Sequence, residues 1–111
     1  MSGKLKILYL EDSPDDAGLV EYALKKGGIE FESKIVCKPD EYIKALDSYK
    51  PDLVLSDHSM GQFDSLEALK IFKEKKLNIP FILVTGAVSE EFAVKILKEG
   101  ADDYLLKDNL V

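Results

Sequence analysis

Short apolar runs alternate with helix-period stripes about five times along the chain. Leu5 to Leu10 predicts a buried strand, and Ser13-Pro14 after it predicts a helix start. A serine hydroxyl can cap free amides there, and proline suits the first helical position. Asp15 and Asp16 fall in the first turn, where the helix dipole favours negative charge. Leu19, Val20, Ala23 and Leu24 form one apolar stripe, which Gly27-Gly28 stops. Phe31 to Val36 predicts a weaker second strand. Pro39 opens a helix with Tyr42, Ile43, Leu46 and Tyr49 on one side, ended by Lys50-Pro51. Leu53-Val54-Leu55 runs as a third strand into Asp57, and a helix follows from Asp64 to Lys75 with Leu66, Leu69 and Phe72. Phe81 to Val84 is the most apolar strand and ends at Thr85-Gly86. Ser89 is placed to cap a fourth helix with Ala93, Val94 and Leu97 inward, closed by Gly100; Tyr104 to Leu106 is the fifth strand.

Continuous apolar strands separated by single helices imply parallel pairing, with helices on both faces of the sheet. The expectation is an α/β domain with a doubly wound, five-stranded parallel sheet. At 111 residues the chain fits one domain, read here as spanning residues 1–111.

Composition narrows the function. Hydrophobic residues make up 46% and charged residues 32%, the balance of a globular chain. The net charge is −6 and all 15 basic residues are lysines, which argues against direct nucleic-acid contact. Cys37 is the sole cysteine, so no internal disulfide is possible and a reducing cytoplasm is the expected location; the thiol is expected to pack as a small buried hydrophobe. The apolar run near the start falls far short of the roughly 18 residues that suggest a membrane span. Lys73, Lys75 and Lys76 read as a solvated helix end, and His58, the only histidine, is given no role.

The candidate chemistry lies at the strand ends. In open parallel sheets, sites form beyond the carboxyl ends of the strands, where the strand order reverses. Strand one delivers Glu11 and Asp12, strand three Asp57, strand four Thr85 and strand five Lys107. Each alone has an ordinary reading, as a surface acid, a loop aspartate, a strand-end threonine or a solvated lysine; their joint arrival on one rim points to a site. Three gathered carboxylates repel unless a cation joins them, and Mg²⁺, which takes oxygen ligands, meets that need. Lys107 adds a fixed positive charge and Thr85 a hydroxyl donor. The set suits phosphoryl transfer, with Asp57 as nucleophile.

At this point the sequence resembles the receiver domains of two-component response regulators over nearly its whole length. The resemblance rests on Ile7-Leu8-Tyr9-Leu10-Glu11-Asp12, Asp52-Leu53-Val54-Leu55-Ser56-Asp57, Met60, Thr85-Gly86, Gly100-Ala101 and Tyr104-Leu105-Leu106-Lys107. It implies a flavodoxin-like sheet of order 2-1-3-4-5 and a phosphoacceptor switch rather than an enzyme. By the same resemblance Asp57 is the phosphorylation site, fed by a sensor histidine kinase or a phosphotransfer protein. Glu11, Asp12 and Asp57 hold Mg²⁺, with Asp12 the favoured direct ligand and Ser59 giving its carbonyl. Thr85 and Lys107 contact the phosphoryl oxygens, and Tyr104 couples to Thr85 as the switch; a half-buried packing tyrosine is the plain alternative. The face of helix four and strand five is the expected contact for an output domain or a second copy. Small side chains at Ser59 and Ala87 are expected to admit attacking water and speed dephosphorylation.

Four departures from the family pattern stand out. Gly61 replaces a proline, Ser65 a glycine, and Asp108 the proline after the lysine. A trans Lys107–Asp108 bond is therefore expected, since a cis bond to a non-proline residue costs roughly 3 kcal/mol or more. Asp108, if turned inward, would weaken the hold of Lys107 on the phosphoryl group. The fourth departure is the ending at Val111, where the family has a fifth helix; the expectation is a missing or truncated helix, an exposed apolar patch, and a domain belonging to a longer protein.

Three rival readings remain. A haloacid-dehalogenase-type phosphatase needs a second aspartate two residues after the nucleophile, where Ser59 stands. A flavin or nucleotide binder needs a phosphate loop after strand one, where Glu11-Asp12 repels phosphates. A receiver-like module that works without phosphorylation is opposed by the intact set of site residues and kept open by Asp108.

Overall fold

The structure, a computed structural model, describes residues 4–61, 63–86 and 90–110. In chain order the elements are β1 (Leu5–Leu10), α1 (Pro14–Lys26), β2 (Phe31–Val36), α2 (Pro39–Ser48), β3 (Leu53–Ser56), α3 (Ser65–Glu74), β4 (Phe81–Thr85), α4 (Glu90–Glu99) and β5 (Asp103–Leu106). A single 3₁₀ turn, Lys107–Leu110, follows β5. The five strands are parallel in the order β2-β1-β3-β4-β5, as expected.

The helices begin where the sequence says they should. Ser13 is extended, and its Oγ accepts a hydrogen bond from the Asp16 N–H, with Pro14 in the first turn of α1. Asp64 caps α3 in the same way, accepting from the Glu67 N–H at 2.9 Å. The expected cap of α4, Ser89, lies outside the described residues.

Strand alternation divides the core in two. On one face Leu8, Leu10, Val54 and Leu83 pack with Tyr42, Leu46, Leu69, Phe72 and Ile96 from α2, α3 and α4. On the other face Ile7, Tyr9, Leu55 and Val84 meet only Ala17 and Val20 of α1 among the buried residues. Each fully buried large side chain, such as Phe81 or Leu69, contributes about 1.5–3 kcal/mol. Among the described residues α1 is the one helix that shields its face, and an apolar groove of about 200 Å³ stays open beside it, lined by Leu24, Leu53, Ile82 and Leu105. This is the expected exposed apolar patch, with Leu105 42% exposed.

Three details differ from expectation. In α4 the inward residues are Ala93 and Ile96, whereas Val94 and Leu97 are exposed. Ile43 of α2 is likewise exposed. Cys37 is only partly buried, because it follows the end of the edge strand β2, where one side has no neighbouring strand to cover it.

Candidate functional site

The order of the sheet reverses at β1, so chain connections leave β1 and β3 in opposite directions and open a cleft above their carboxyl ends. One extra ladder bond fixes each acid at that rim. The Glu11 N–H donates to the Val36 carbonyl at 3.0 Å, and the Asp57 N–H donates to the Leu10 carbonyl at 2.9 Å. Asp12 follows Glu11 and is exposed. Carboxylate oxygens of Glu11, Asp12 and Asp57 all lie within 4.8 Å of one another. Thr85 pairs in register with Leu106 and is buried, and Lys107 comes one residue later.

Lys107 is the hub of the site. Its ammonium donates to Glu11 Oε1 at 2.7 Å and to Asp16 Oδ2 at 2.9 Å, and stands 3.6 Å from Asp57 Oδ2. Glu11 is almost wholly buried: Oε1 also accepts from the Tyr9 hydroxyl at 3.0 Å, and Oε2 from the Ser13 N–H at 3.3 Å. Burial raises the Glu11 pKa above its ordinary value and the Asp57 charge adds to the rise, while hydrogen bonds from Lys107 and Tyr9 oppose it. Burial alone would lower the Lys107 pKa, but its bonds to Glu11 and Asp16 and the charge of Asp57 outweigh that, and it is raised. Burial, with the charge of Glu11 beside it, also pushes the Tyr9 phenol upward.

Asp57 is held in orientation from its own loop. Its Oδ1 accepts from the His58 N–H at 2.8 Å, which leaves Oδ2 facing Lys107. The loop beyond closes on itself. Ser59 bridges to Asp64, the Met60 N–H donates to the Phe63 carbonyl at 2.8 Å, and the Ser65 N–H donates to the His58 carbonyl at 2.9 Å. Gly61 turns this loop at φ 80°, a conformation that proline, locked near −65°, cannot take. Ser65 is fully buried, and its Oγ lies 3.0 Å from His58 Nδ1. Two of the departures from the family pattern thus have local causes. No cis peptide bond occurs among the described residues, so Lys107–Asp108 is trans as expected, and Asp108 is exposed rather than turned inward.

Of the residues singled out in the sequence, Glu11, Asp12, Asp57 and Lys107 are brought together directly. Thr85 is buried at the end of β4, Ser59 is exposed two residues after Asp57, and Tyr104 is half-buried against the larger core cluster. Ala87 lies outside the described residues. Sequence reasoning missed Tyr9, Asp16 and His58. A tyrosine in an apolar strand two residues before an acid is a usable signal, whereas the first-turn position of Asp16 points only to the helix dipole.

The sequence matches the family model described as the response regulator receiver domain over residues 7–110. The chain belongs to the response regulator receiver family. Among similar receivers, the domain is 30% identical over 102 residues to the Alkaline phosphatase synthesis transcriptional regulatory protein PhoP of Bacillus subtilis, covering 92% of this chain and 42% of the relative. It is 32% identical over 108 residues to the DNA-binding transcriptional regulator NtrC of Proteus hauseri, covering 94% of this chain and 22% of the relative. The receiver therefore spans less than half the length of these relatives. Its fold matches a crystal structure of a CheY-like receiver domain protein from Methanospirillum hungatei at TM-score 0.76 and 26% identity, covering 95% of this chain and 82% of the other. It also matches the phosphorylated cyanobacterial phytochrome response regulator RcpA at TM-score 0.80 and 22% identity, covering 97% and 86%. The fold is thus flavodoxin-like, as the sequence implied. Among the described residues, no helix is long and apolar enough to cross a membrane.

Proposed function

We propose that this receiver is a phosphoacceptor switch in which Asp57 takes a phosphoryl group from a phosphohistidine of a sensor histidine kinase or phosphotransfer protein. The observation that carries the reading is the position of Asp57. Its Oδ2 faces the Lys107 ammonium at 3.6 Å, and its carboxylate shares one acidic cluster with Glu11 and Asp12. In the reaction Oδ2 attacks phosphorus, an acyl–phosphate bond forms, the P–N bond breaks, and the donor imidazole leaves with the electron pair and takes up a proton.

The donor set fits a hard divalent cation, since three carboxylates and no sulfur or imidazole form the cluster. Asp12, the exposed member, and Asp57 would hold Mg²⁺ most directly, with the Ser59 carbonyl beside them. Glu11, its oxygens engaged by Lys107, Tyr9 and Ser13, would contribute chiefly its charge. When bound, Mg²⁺ neutralises charge on the phosphoryl oxygens. The protein's own part is to hold Asp57 through the His58 N–H and to present Lys107 and the Thr85 hydroxyl to those oxygens. Thr85 drawn toward the new dianion would let Tyr104 turn inward and reshape the face of α4 and β5, where an output domain or second copy would bind. In this reading the receiver is one domain of a longer cytoplasmic signalling protein, it catalyses no turnover of a separate substrate, and the small Ser59 and Ala87 side chains favour fast dephosphorylation.

Intact mass after incubation with Mg²⁺ and acetyl phosphate tests the proposal. One phosphoryl adduct is expected, lost with a chelator and lost in Asp57→Asn. An adduct that persists in Asp57→Asn would move the chemistry to another residue, and no adduct with no metal binding would leave a phosphorylation-independent interaction module.

A further inference from the structure

An ammonium has three N–H donors, and Lys107 commits two of them away from the acceptor. One goes to Glu11 at 2.7 Å and one to Asp16 at 2.9 Å, while Asp57 Oδ2 at 3.6 Å lies beyond hydrogen-bond distance. The two committed partners differ in kind. Glu11 has a fully buried side chain and needs a cation, whereas the Asp16 side chain is 44% exposed and would be hydrated without one. Asp16 is also fixed in place: it stands in the first turn of α1, its N–H bound to the capping Ser13 hydroxyl. Its carboxylate therefore holds the ammonium against the first turn of α1.

We infer that Asp16 is a positioning residue acting through Lys107, competing with a phosphoryl group on Asp57 for the ammonium and so limiting how firmly the phosphorylated state is held. The inference rests on the phosphoacceptor reading above. Lys107 has one N–H left for a phosphoryl oxygen, but while the Asp16 contact holds, the ammonium is shared between that carboxylate and the dianion. Loosening this contact lets Lys107 approach while the buried Glu11 keeps its cation. Asp16 also sets a further negative charge near the incoming dianion, which opposes it.

The test uses the whole chain and an equilibrium probe. Fluoroberyllate with Mg²⁺ occupies an acceptor carboxylate in place of the phosphoryl group, without a reaction that could turn over. Asp16→Asn keeps the side-chain shape and removes the charge. Asp15→Asn removes the same charge from the same helical turn at an exposed position that Lys107 does not contact. Asp16→Asn is expected to tighten the fluoroberyllate complex about three- to tenfold, the scale of one partly exposed charged contact. Asp15→Asn is expected to shift it less than twofold, roughly the screened effect of a distant exposed charge. Asp16→Ala should follow Asp16→Asn in direction, which guards against an effect peculiar to the asparagine amide.

Equal affinities of wild type and Asp16→Asn would overturn the inference, and so would equal gains in both asparagine variants. A weaker complex in Asp16→Asn would also overturn it, since Asp16 would then be supporting Lys107 rather than diverting it. Failure of the wild type itself to bind fluoroberyllate and to take up a phosphoryl group would instead remove the phosphoacceptor reading, and the inference with it.

Discussion

The imidazole of His58 lies against the ring of Phe92, with centroids 4.1 Å apart and planes tilted by 52°. The residue next to Asp57 therefore touches α4 directly, while its Nδ1 reaches the buried Ser65 hydroxyl at the start of α3. One ring ties the loop after Asp57 to two helices.

His58→Ala should therefore destabilise the domain by about 1–3 kcal/mol, from the lost ring contact and from a buried Ser65 hydroxyl left without its partner. Adding Ser65→Ala removes the orphaned hydroxyl, so the double variant should lose less than the sum of the two single changes. Urea unfolding of the four proteins measures this; strict additivity would mean that the 3.0 Å contact carries no energy.

Replacing Lys107 with methionine should cost about 3–5 kcal/mol at neutral pH, because Glu11, whose side chain is wholly buried, loses its cation. Burial already raises the Glu11 pKa, and without Lys107 it rises further. A carboxyl with a folded pKa above its unfolded value favours folding below the unfolded value and loses that advantage as pH rises through the folded one. Lys107→Met should thus melt higher at pH 5 than at pH 7, and its gap to wild type should narrow on acidification. Melting curves at the two pH values decide.

Magnesium should stabilise the wild type through the cluster of Glu11, Asp12 and Asp57. At about ten times its Kd the gain is about 1.4 kcal/mol, or roughly 5–10 °C in Tm for a domain of this size. Asp12→Asn, which removes the most exposed carboxylate, should shift little with magnesium. An equal shift in both proteins would place the ion elsewhere.

Alkaline pH should weaken the fold from about pH 10, where unfolded tyrosine begins to ionise. Burial holds the Tyr42 phenol above its ordinary value, and Tyr9 and Lys107 are raised as well. A raised group supports the fold fully below its unfolded pKa and loses that support as pH climbs through the folded one. Tyr42→Phe gives up the 2.8 Å hydrogen bond to the Ala68 carbonyl, about 1 kcal/mol. It should nevertheless lose less stability than wild type between pH 8 and 10.5, as followed by urea unfolding.

The strands were legible in the sequence because parallel strands buried on both faces must be continuously apolar, and the acids at their ends stand out against that background, whereas the strand order follows only from the family resemblance. Helix faces were harder to read. In α4 the run Phe92-Ala93-Val94-Lys95-Ile96-Leu97 is apolar around more than one side, so period alone could not choose Ile96 over Leu97. The same limit hid Asp16, since its reach to Lys107 depends on how α1 is rotated above the sheet, which no local pattern encodes. His58 was missed because its partners, Ser65 and Phe92, are supplied by separate helices.

Lys107 stands 96 residues after Glu11 in the chain. A ribosome delivers the acid long before the base, and until β5 and the residue after it emerge the nascent protein lacks the ammonium that Glu11 binds in the folded domain. Closing β1 between its neighbours then means desolvating a lone carboxylate, so the growing chain gains most by leaving that corner hydrated and finishing it last. The cluster around Glu11 is thereby completed only after β5 has emerged, and a half-made domain holds Asp57 without the ammonium that stands 3.6 Å from its Oδ2.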